Sequence, residues 1–557
     1  MTFECSRLEP TFFIPASILQ KSASLSNALI LFVMILNHFP MLLLILGLGL
    51  TIRQVCNAIF VRPFLSSRKS KALGCGAIPL ERTKWPLGLD MVRAGLKADR
   101  EQRTPDFVTR RFLDIGRWTF RISILGTSNI ITAEPKNVQA VLASQFNDFE
   151  MGRARKTNLK AVLGRSIFAV DGQAWHSARD VVRPIFAREN IANLKMLESH
   201  VQTLFACIEK SSIDQSGWTE PVGLARLFPS LTIDSATELF LGQSTHSLPA
   251  RLKGEPLQHD FHWAFERVQA TLSVRMRLRS LYWVYGHKRL QESMRVLNAF
   301  VDNSLRSADI AKREIKYDFL NSLRERCTDQ NEVREQVLGL LAAGRDTTAS
   351  LMGWVFYCLV RNPRVFEKLR NVILEEFGPD TADTDIVTRQ VTFHKLKGCR
   401  YLQHVMSETL RLHSIVAFNS RMAVRDTTIP TGGGPDGTLP VFVPAGTEVN
   451  FSTHVMHRRK DLWGEDADVF RPERWETSRP GWSYVPFNGG PRICIGQQFA
   501  LTEAGYVIVR MLQRYDGIEG LDIRLDQEYT HFTIVAAPGT PTRGDEAVKC
   551  RLRLTIR

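Results

Sequence analysis

The sequence predicts a mainly helical α+β fold, on three observations. Helical patterning dominates broadly from residue 136 to 413. Strand-like runs lie towards both ends: "WTFRISILG" and "IITAE" before the helices, "LPVFVPAGTEVNF" and the stretch from "HFTIVAAPG" to "CRLRLTIR" after them. No repeat of fixed period and no low-complexity tract interrupts the chain, so solenoid and disordered readings fall away. A chain of 557 residues can bury a large core. Strands from both ends then form a minor sheet beside a large helical part.

Composition narrows the function classes. The net charge is +15, but the basic residues are spread along the chain. No short Lys/Arg block is interleaved with aromatics, and no zinc-finger or RNP-like pattern occurs, so no nucleic-acid partner is expected. The nine cysteines are odd in number and widely spaced, without a C-x-x-C pair. That argues against structural zinc and against a secreted disulfide framework, and for a catalytic domain in the reducing cytosol.

In chain order, Ser22 to Ile52 contains no Asp, Glu, Lys or Arg. A bilayer core needs about 20 apolar residues in a helix. A transmembrane anchor over 22–52 is therefore expected, after a short lumenal N-terminus at 1–21. Arg53, Arg62, Arg68, Lys69 and Lys71 follow it, while Glu4 and Glu9 precede it. The positive-inside rule then places the following chain in the cytosol. Residues 53–95 hold Pro63, Pro79 and Pro86 with several glycines and read as a hinge to a catalytic domain at 96–557.

Trp118–Gly126 and Ile130–Glu134 read as two paired strands. The longest helical candidate covers 332–360, with Asn331 as its cap and Pro363 past its end. In its middle stands "AAGRDTTAS", which puts Asp346, Thr347 and Thr348 in an apolar interior. A buried carboxylate is costly unless paired or functional. One reading is a Thr bonded back to the i−4 carbonyl and an Asp–Arg pair. The other is a local opening of the helix for a ligand, with groups to relay protons. "SETLRLH" sets Glu408 and Arg411 three apart on one helix face, and "DVFRPERW" adds Arg474; one carboxylate held between two guanidiniums could lock that region. Gly432, Gly434 and Gly437 match G-x-G-x-x-G, but Pro430, Pro435 and Pro440 surround them and a strand follows, so a hairpin loop is expected and not a nucleotide cradle.

Cys494 in "FNGGPRICIGQQFA" has three readings: buried thiol, disulfide half, or ligand. Phe487, Gly490, Arg492, Cys494 and Gly496 stand in the order F-x-x-G-x-R-x-C-x-G. With A-G-x-D-T-T at 343–348, E-x-x-R at 408–411 and F-x-P-E-R-W at 470–475, the chain resembles the cytochrome P450 family of haem-thiolate monooxygenases. The resemblance implies haem b held by the Cys494 thiolate, whose electron donation to iron favours O–O cleavage. It implies that Phe487 covers the sulfur, that Gly490 and Gly496 let backbone approach the porphyrin, and that Arg492, Trp175, Arg179 and Arg421 meet the propionates. Thr347 and Asp346 match the family's oxygen-activation pair. Glu408, Arg411 and Arg474 match its structural triad.

Longer strings, including "SIFAVDGQAWHSARDVVRPIFARENIANL" and "FNGGPRICIGQQFALTEA", resemble the fungal group that hydroxylates n-alkanes and fatty acids. That implies O2- and NADPH-dependent hydroxylation near the end of a long aliphatic chain, in the endoplasmic reticulum membrane, with electrons arriving through NADPH–cytochrome P450 reductase. The chain departs from the group after "ETLRL", where His413, Ser414 and Ile415 replace an aromatic residue and two prolines. A tailoring oxidase of fungal secondary metabolism, acting on a polyketide, a terpene or another lipophilic skeleton, is the second reading.

Overall fold

The computed structural model describes residues 62–186, 194–210, 212–255, 260–310, 319–327, 329–381, 383–521, 527–542 and 544–555. The chain divides into two compact units, Met1–Leu73 and Gly74–Arg557. In the first, the described part is a basic helix over Arg62–Ala72. Everything below concerns the second.

The helical part is built round seven helices that matter for the site: α1 (Arg153–Leu163), α2 (Gly172–Val182), α3 (Leu224–Leu241), α4 (Phe261–Leu278), α5 (Gln330–Arg361), α6 (Arg400–Leu412) and α7 (Gln497–Arg514). The long helix α5 is the spine. Leu341, Met352, Val355 and Leu359 on it have no exposure, and Trp354 has 1%. Its N-cap is Asp329, whose carboxylate accepts from the Glu332 amide at 2.8 Å, and not the expected Asn331. Pro363 opens the next helix, where its missing N–H costs nothing.

The strands behave as the alternation suggests. β1 (Thr119–Ile124) and β2 (Thr127–Thr132) form an antiparallel hairpin, with Thr119 opposite Thr132. The sheet runs β1-β2-β8-β5-β3, where β3 is Phe149–Glu150, β5 Phe418–Ala423 and β8 Glu448–Ser452. Chain from both sides of the helical part thus shares one sheet. Asn137 ties them further: its Nδ2 donates to the Thr431 carbonyl at 2.9 Å and its Oδ1 accepts from the Thr431 amide at 3.0 Å. The glycine-rich stretch is a hairpin loop between β6 (Thr427–Gly433) and β7 (Leu439–Val443). β10 (Thr530–Phe532) and β11 (Ala536–Pro538) form a second hairpin. β4 (Val222–Gly223), β12 (Lys549–Leu554) and β9 (Tyr515–Gly520) complete the architecture.

The mainly helical fold with a minor sheet is the one expected, but its expected transmembrane part is corrected. Among the described residues no helix is long and apolar enough to cross a membrane. The helices of sufficient length carry charges: Arg226, Asp234 and Glu238 on α3, Arg345 and Asp346 in mid-α5, and Glu503 and Arg510 on α7. The expected membrane anchor, membrane partner and endoplasmic reticulum membrane location are therefore not features of the described structure. The segments 1–21 and 22–52 on which they were placed lie outside the described residues.

Candidate active site

The segment before α7 folds for reasons local to its sequence. A 3-10 turn over Gly490–Arg492 is followed by Cys494, and Gly496 caps α7. The Cys494 amide donates to the Phe487 carbonyl at 3.0 Å, which closes the loop. Gly490 has φ of 66°, and a Cβ there would stand 1.9 Å from the Leu142 carbonyl oxygen. Backbone packs closely against backbone here, which leaves no room for a side chain. A Cβ on Gly496 would come within 3.1 Å of the Phe186 ring.

Cys494 forms no disulfide. Its residue surface is accessible, yet burial among protein atoms is the main influence on the thiol and pushes its pKa up. The Gly496 amide and the Arg179 charge act the other way. Among the described residues no cluster of three or more His, Cys, Asp and Glu could hold a bare metal ion. A lone sulfur suits a group that brings its other ligands with it.

On this side of the domain lies a cluster of arginines. Trp175 on α2 is buried, and the Arg492 and Arg179 guanidiniums lie 4.5 and 5.6 Å from its ring centroid. Arg179 Nη2 also donates to the Ile493 carbonyl at 3.2 Å, beside Cys494. Arg492 Nη2 donates to Asp171 Oδ1 at 2.6 Å and to the Val170 carbonyl at 3.0 Å. Arg421 on β5 is buried and donates to the Ser420 carbonyl at 2.7 Å and to Asn419 Oδ1 at 3.2 Å. Arg155 on α1 shares that Asn419 oxygen at 2.7 Å, and its Nε is buried without a partner. Burial, with Arg155 and Arg492 nearby, brings Arg421 down to about 9. Burial brings Arg492 down to about 10, opposed by Asp171 and reinforced by Arg155. Four guanidiniums therefore gather near Asp171, which is shared with Lys156 at 3.1 Å, while Glu150, Glu448 and Asp180 also act on members of the cluster. A buried cation bonded only to neutral groups is costly, and Arg421 donates to Asn419 and Ser420, so this cluster fits a bound group carrying carboxylates. Haem, an iron-bearing group with two propionates, would fit both the sulfur and the cations. Arg155, Asn419 and Asp171 escaped the sequence reading because no motif marks them.

The middle of α5 faces open space: a Cβ on Gly344 would meet nothing within 4 Å. The helix does not open, as one reading expected; it stays helical through 343–348. Thr347 Oγ1 donates to the Ala343 carbonyl at 2.6 Å, and Asp346 Oδ1 accepts from Arg345 Nη1 at 2.7 Å. Both of the plainer interactions are thus present. Even so, Asp346 Oδ2 and the Thr348 hydroxyl are buried without partners, as few polar atoms in folded proteins are.

Glu408 and Arg411 on α6 are fully buried, and Arg474 nearly so. Glu408 accepts from Arg411 at 2.9 and 2.8 Å, from Arg474 Nε at 3.3 Å and from Trp475 Nε1 at 3.0 Å. Arg411 Nη1 reaches the His457 carbonyl at 2.8 Å, and the His457 ring accepts from the Val485 amide at 3.0 Å, two residues before Phe487. The frame is therefore wired to the Cys494 loop. His413, expected as a turn residue, caps the end of α6; it is buried, stacked on Trp354 at 4.1 Å and 3.2 Å from Glu528 Oε1.

A family model described as cytochrome P450 matches residues 96–534. The chain is 61% identical over 535 residues to cytochrome P450 monooxygenase alt2 of Alternaria solani, covering 92% of this chain and 99% of that protein. It is 44% identical over 472 residues to cytochrome P450 monooxygenase g430 of a Fusarium species, covering 82% and 81% of the two chains. It is 39% identical over 490 residues to cytochrome P450 52A13 of Debaryomyces hansenii, covering 84% and 92%.

Proposed function

The chain belongs to the cytochrome P450 family, an oxidoreductase family of haem-thiolate monooxygenases, and on that premise we propose that Cys494 is the axial ligand of its haem. The observation that supports this most directly is the accessible thiol without a disulfide beside Arg179, with the buried Arg421 bonded only to neutral groups. Haem bound there supplies oxygen activation, with the thiolate favouring O–O cleavage. Cys494 would hold the iron as a thiolate, with the Gly496 amide and the Arg179 charge favouring its charged form. Phe487 shields it from water. Arg421, Arg492 and Arg179, with Trp175 beside them and Arg155 in addition, hold the propionates. Asp346 and Thr347 carry protons from the protein to the oxygen side. Glu408, Arg411 and Arg474 keep the loop in place.

The substrate is a lipophilic molecule hydroxylated at or near the end of a long aliphatic chain, and NADPH–cytochrome P450 reductase supplies the electrons. The sequence resemblance to the fungal alkane and fatty-acid hydroxylases supports that class. The substituted turn at His413–Ser414–Ile415 favours the second reading, a tailoring oxidase on another lipophilic skeleton. The Ile415 carbonyl accepts from the Ala536 amide at 2.8 Å, so this turn sets the β10–β11 hairpin. The residues 96–557 act as the catalytic domain.

Expression with the reductase, supply of n-alkanes and fatty acids, and location of new oxygen by mass spectrometry tests the class. Terminal or near-terminal hydroxylation supports it; turnover of none by a preparation with an intact reduced CO spectrum of thiolate type overturns it. Cys494→Ala is expected to abolish both that spectrum and activity, and retained activity would refute the ligand assignment.

A further inference from the structure

His413, at the end of α6, reaches both legs of the β10–β11 hairpin. Its Nδ1 lies 3.2 Å from Glu528 Oε1, just before β10. Its ring stacks on the Trp354 indole at 4.1 Å with 7° between the planes, and Trp354 Nε1 donates to the Ala536 carbonyl at 2.9 Å, where β11 begins. The Ala536 amide donates to the Ile415 carbonyl, two residues past His413. Burial lowers the His413 pKa, reinforced by Arg458 and Arg361 and opposed by Glu528. The ring is therefore neutral, and its Nδ1–H donates to a carboxylate. Desolvation would raise Glu528, but Arg458 and His413 outweigh it and hold it well below the usual carboxylate range. Arg458 Nη2 donates to Glu528 Oε2 at 2.8 Å and its Nε to the Leu412 carbonyl at 2.9 Å, so a charge-assisted bond ties Glu528 to the same end of α6. The Glu528 side chain is 24% exposed and that of His413 5%, so solvent reaches one side of the pair and the ring covers the other.

The hairpin so held lies between two parts of the candidate site. On one side is α5. Pro538 of β11 packs on Gly353, where a Cβ would stand 3.2 Å from it. Trp354 follows Thr347 by two turns on the same helix face, roughly 10 Å along the axis. On the other side is β5. The Phe532 and Phe418 rings meet edge to face at 5.4 Å, and Asn419 and Arg421 follow Phe418 on its strand. Between the two legs stands the tip, Thr533, Ile534 and Val535, closed by the Thr533 amide donating to the Val535 carbonyl at 3.0 Å and half-buried throughout. Three residue pairs join β10 to β11. A hairpin of two strands has little stability of its own, so the position of this one is set by what holds its legs.

We propose that His413 is a positioning residue for the β10–β11 hairpin, and that the depth at which it holds the tip sets the length of the space open to an aliphatic chain. Two separable contacts do this. The bond to Glu528 ties the leg before β10 to the end of α6, and the stack steadies the indole that carries β11. Phenylalanine at 413 can keep the stack but has no donor, and asparagine can keep the donor but has no ring to stack. The turn is where the chain departs from the group it resembles, so the reach of the hairpin is a property of this chain. The inference rests on the haem-thiolate reading of the site.

The test uses the full chain loaded with haem and a series of N-alkylimidazoles from butyl to dodecyl, whose ring nitrogen binds the iron while the chain extends into the site. Titration of the Soret band gives a Kd for each. A buried methylene is worth about four-fold in affinity, so Kd falls by about that factor per carbon until the chain meets the tip, where the series breaks. Glu528→Ala and His413→Phe are each expected to move the break to chains longer by about one carbon or more. His413→Asn is expected to keep the parent's break, because its Nδ2 takes the place of Nδ1 as donor to Glu528. The double variant of His413→Phe and Glu528→Ala is expected to match the single ones, since both remove one contact. A merely structural loss would weaken every chain alike and leave the break in place, and that result overturns the proposal. A parent series without a break overturns it too. Should His413→Phe not load haem, Glu528→Ala carries the test. A reduced CO spectrum of every preparation separates the two readings. Its absence in the parent chain sinks the haem-thiolate assignment and the proposal with it, and its presence with an unmoved break sinks only the role of His413.

Discussion

Replacing Glu408 by Gln keeps the side chain's shape and removes its charge. Oε1 accepts from Arg411 Nη2 at 2.8 Å, the Arg471 amide at 3.1 Å and Arg474 Nε at 3.3 Å. Oε2 accepts from Arg411 Nε at 2.9 Å and Trp475 Nε1 at 3.0 Å. Whichever oxygen becomes an amide nitrogen, at least two N–H donors then face a donor. Two buried guanidiniums also lose their shared anion, although Asp466 still meets Arg474 at 3.0 Å. Removing one partner of a buried ion pair costs about 3–5 kcal/mol. Against a typical stability of about 5–15 kcal/mol that is a large fraction. The loss reaches the site through Arg411, the His457 carbonyl and the Val485 amide. Urea unfolding followed by tryptophan fluorescence measures the stability, since Trp463 and Trp475 border the frame. Haem occupancy measured on the same samples is expected to fall with it. A stability loss below about 1 kcal/mol, the size of an exposed ion pair, would refute the reasoning.

Gly490→Ala is expected to cost at least about 2–3 kcal/mol by thermal unfolding, because φ is 66° and the new Cβ would stand 1.9 Å from Leu142 O; an unchanged Tm contradicts the packing argument. Thr347→Ala is expected to retain haem and to divert reducing equivalents to peroxide, with the product-to-NADPH ratio as the readout; unchanged coupling refutes a proton-relay role. Glu503 on α7 is fully enclosed, and burial raises its pKa from 4.5 to about 7, opposed by the Ser235 hydroxyl. Its folded pKa lies above its unfolded one, so its contribution is complete below about pH 4.5 and drains away as pH rises to about 7, by about 3 kcal/mol in all. Glu503→Gln is accordingly expected to gain stability relative to the parent across that window and to level off above it; a difference that stays flat with pH contradicts this.

Local chemistry was legible without the fold. Alternation announced β1, β2, β7 and β8, and apolar patterning announced α5, because each depends on neighbours within a few residues. The spacing of Glu408 and Arg411 sets their contact on one helix. The cap of α5 shows the resolution limit: Asp329 and Asn331 are both good caps, and only the backbone path selects Asp329. Prolines round Gly432–Gly437 were enough to identify a hairpin loop.

By itself the sequence determined the mainly helical class with a minor sheet and the family, since residue identity at motif spacing carries that information. Only the tertiary structure decided which charges share a space. Arg155 meets Asn419 across 264 residues, and Arg345 meets Glu266 across 79. It also decided why Gly490 must be glycine, since the Leu142 carbonyl that excludes a side chain comes from the other end of the domain. The corrected expectation of a membrane anchor marks the same boundary. Hydropathy identified an apolar run at 22–52, but the helices of the described structure are long because they cross a protein core, and they carry charges because that core pairs them. Hydrophobic periodicity is a short-range signal, whereas the pairing of buried charge depends on where distant segments are brought together.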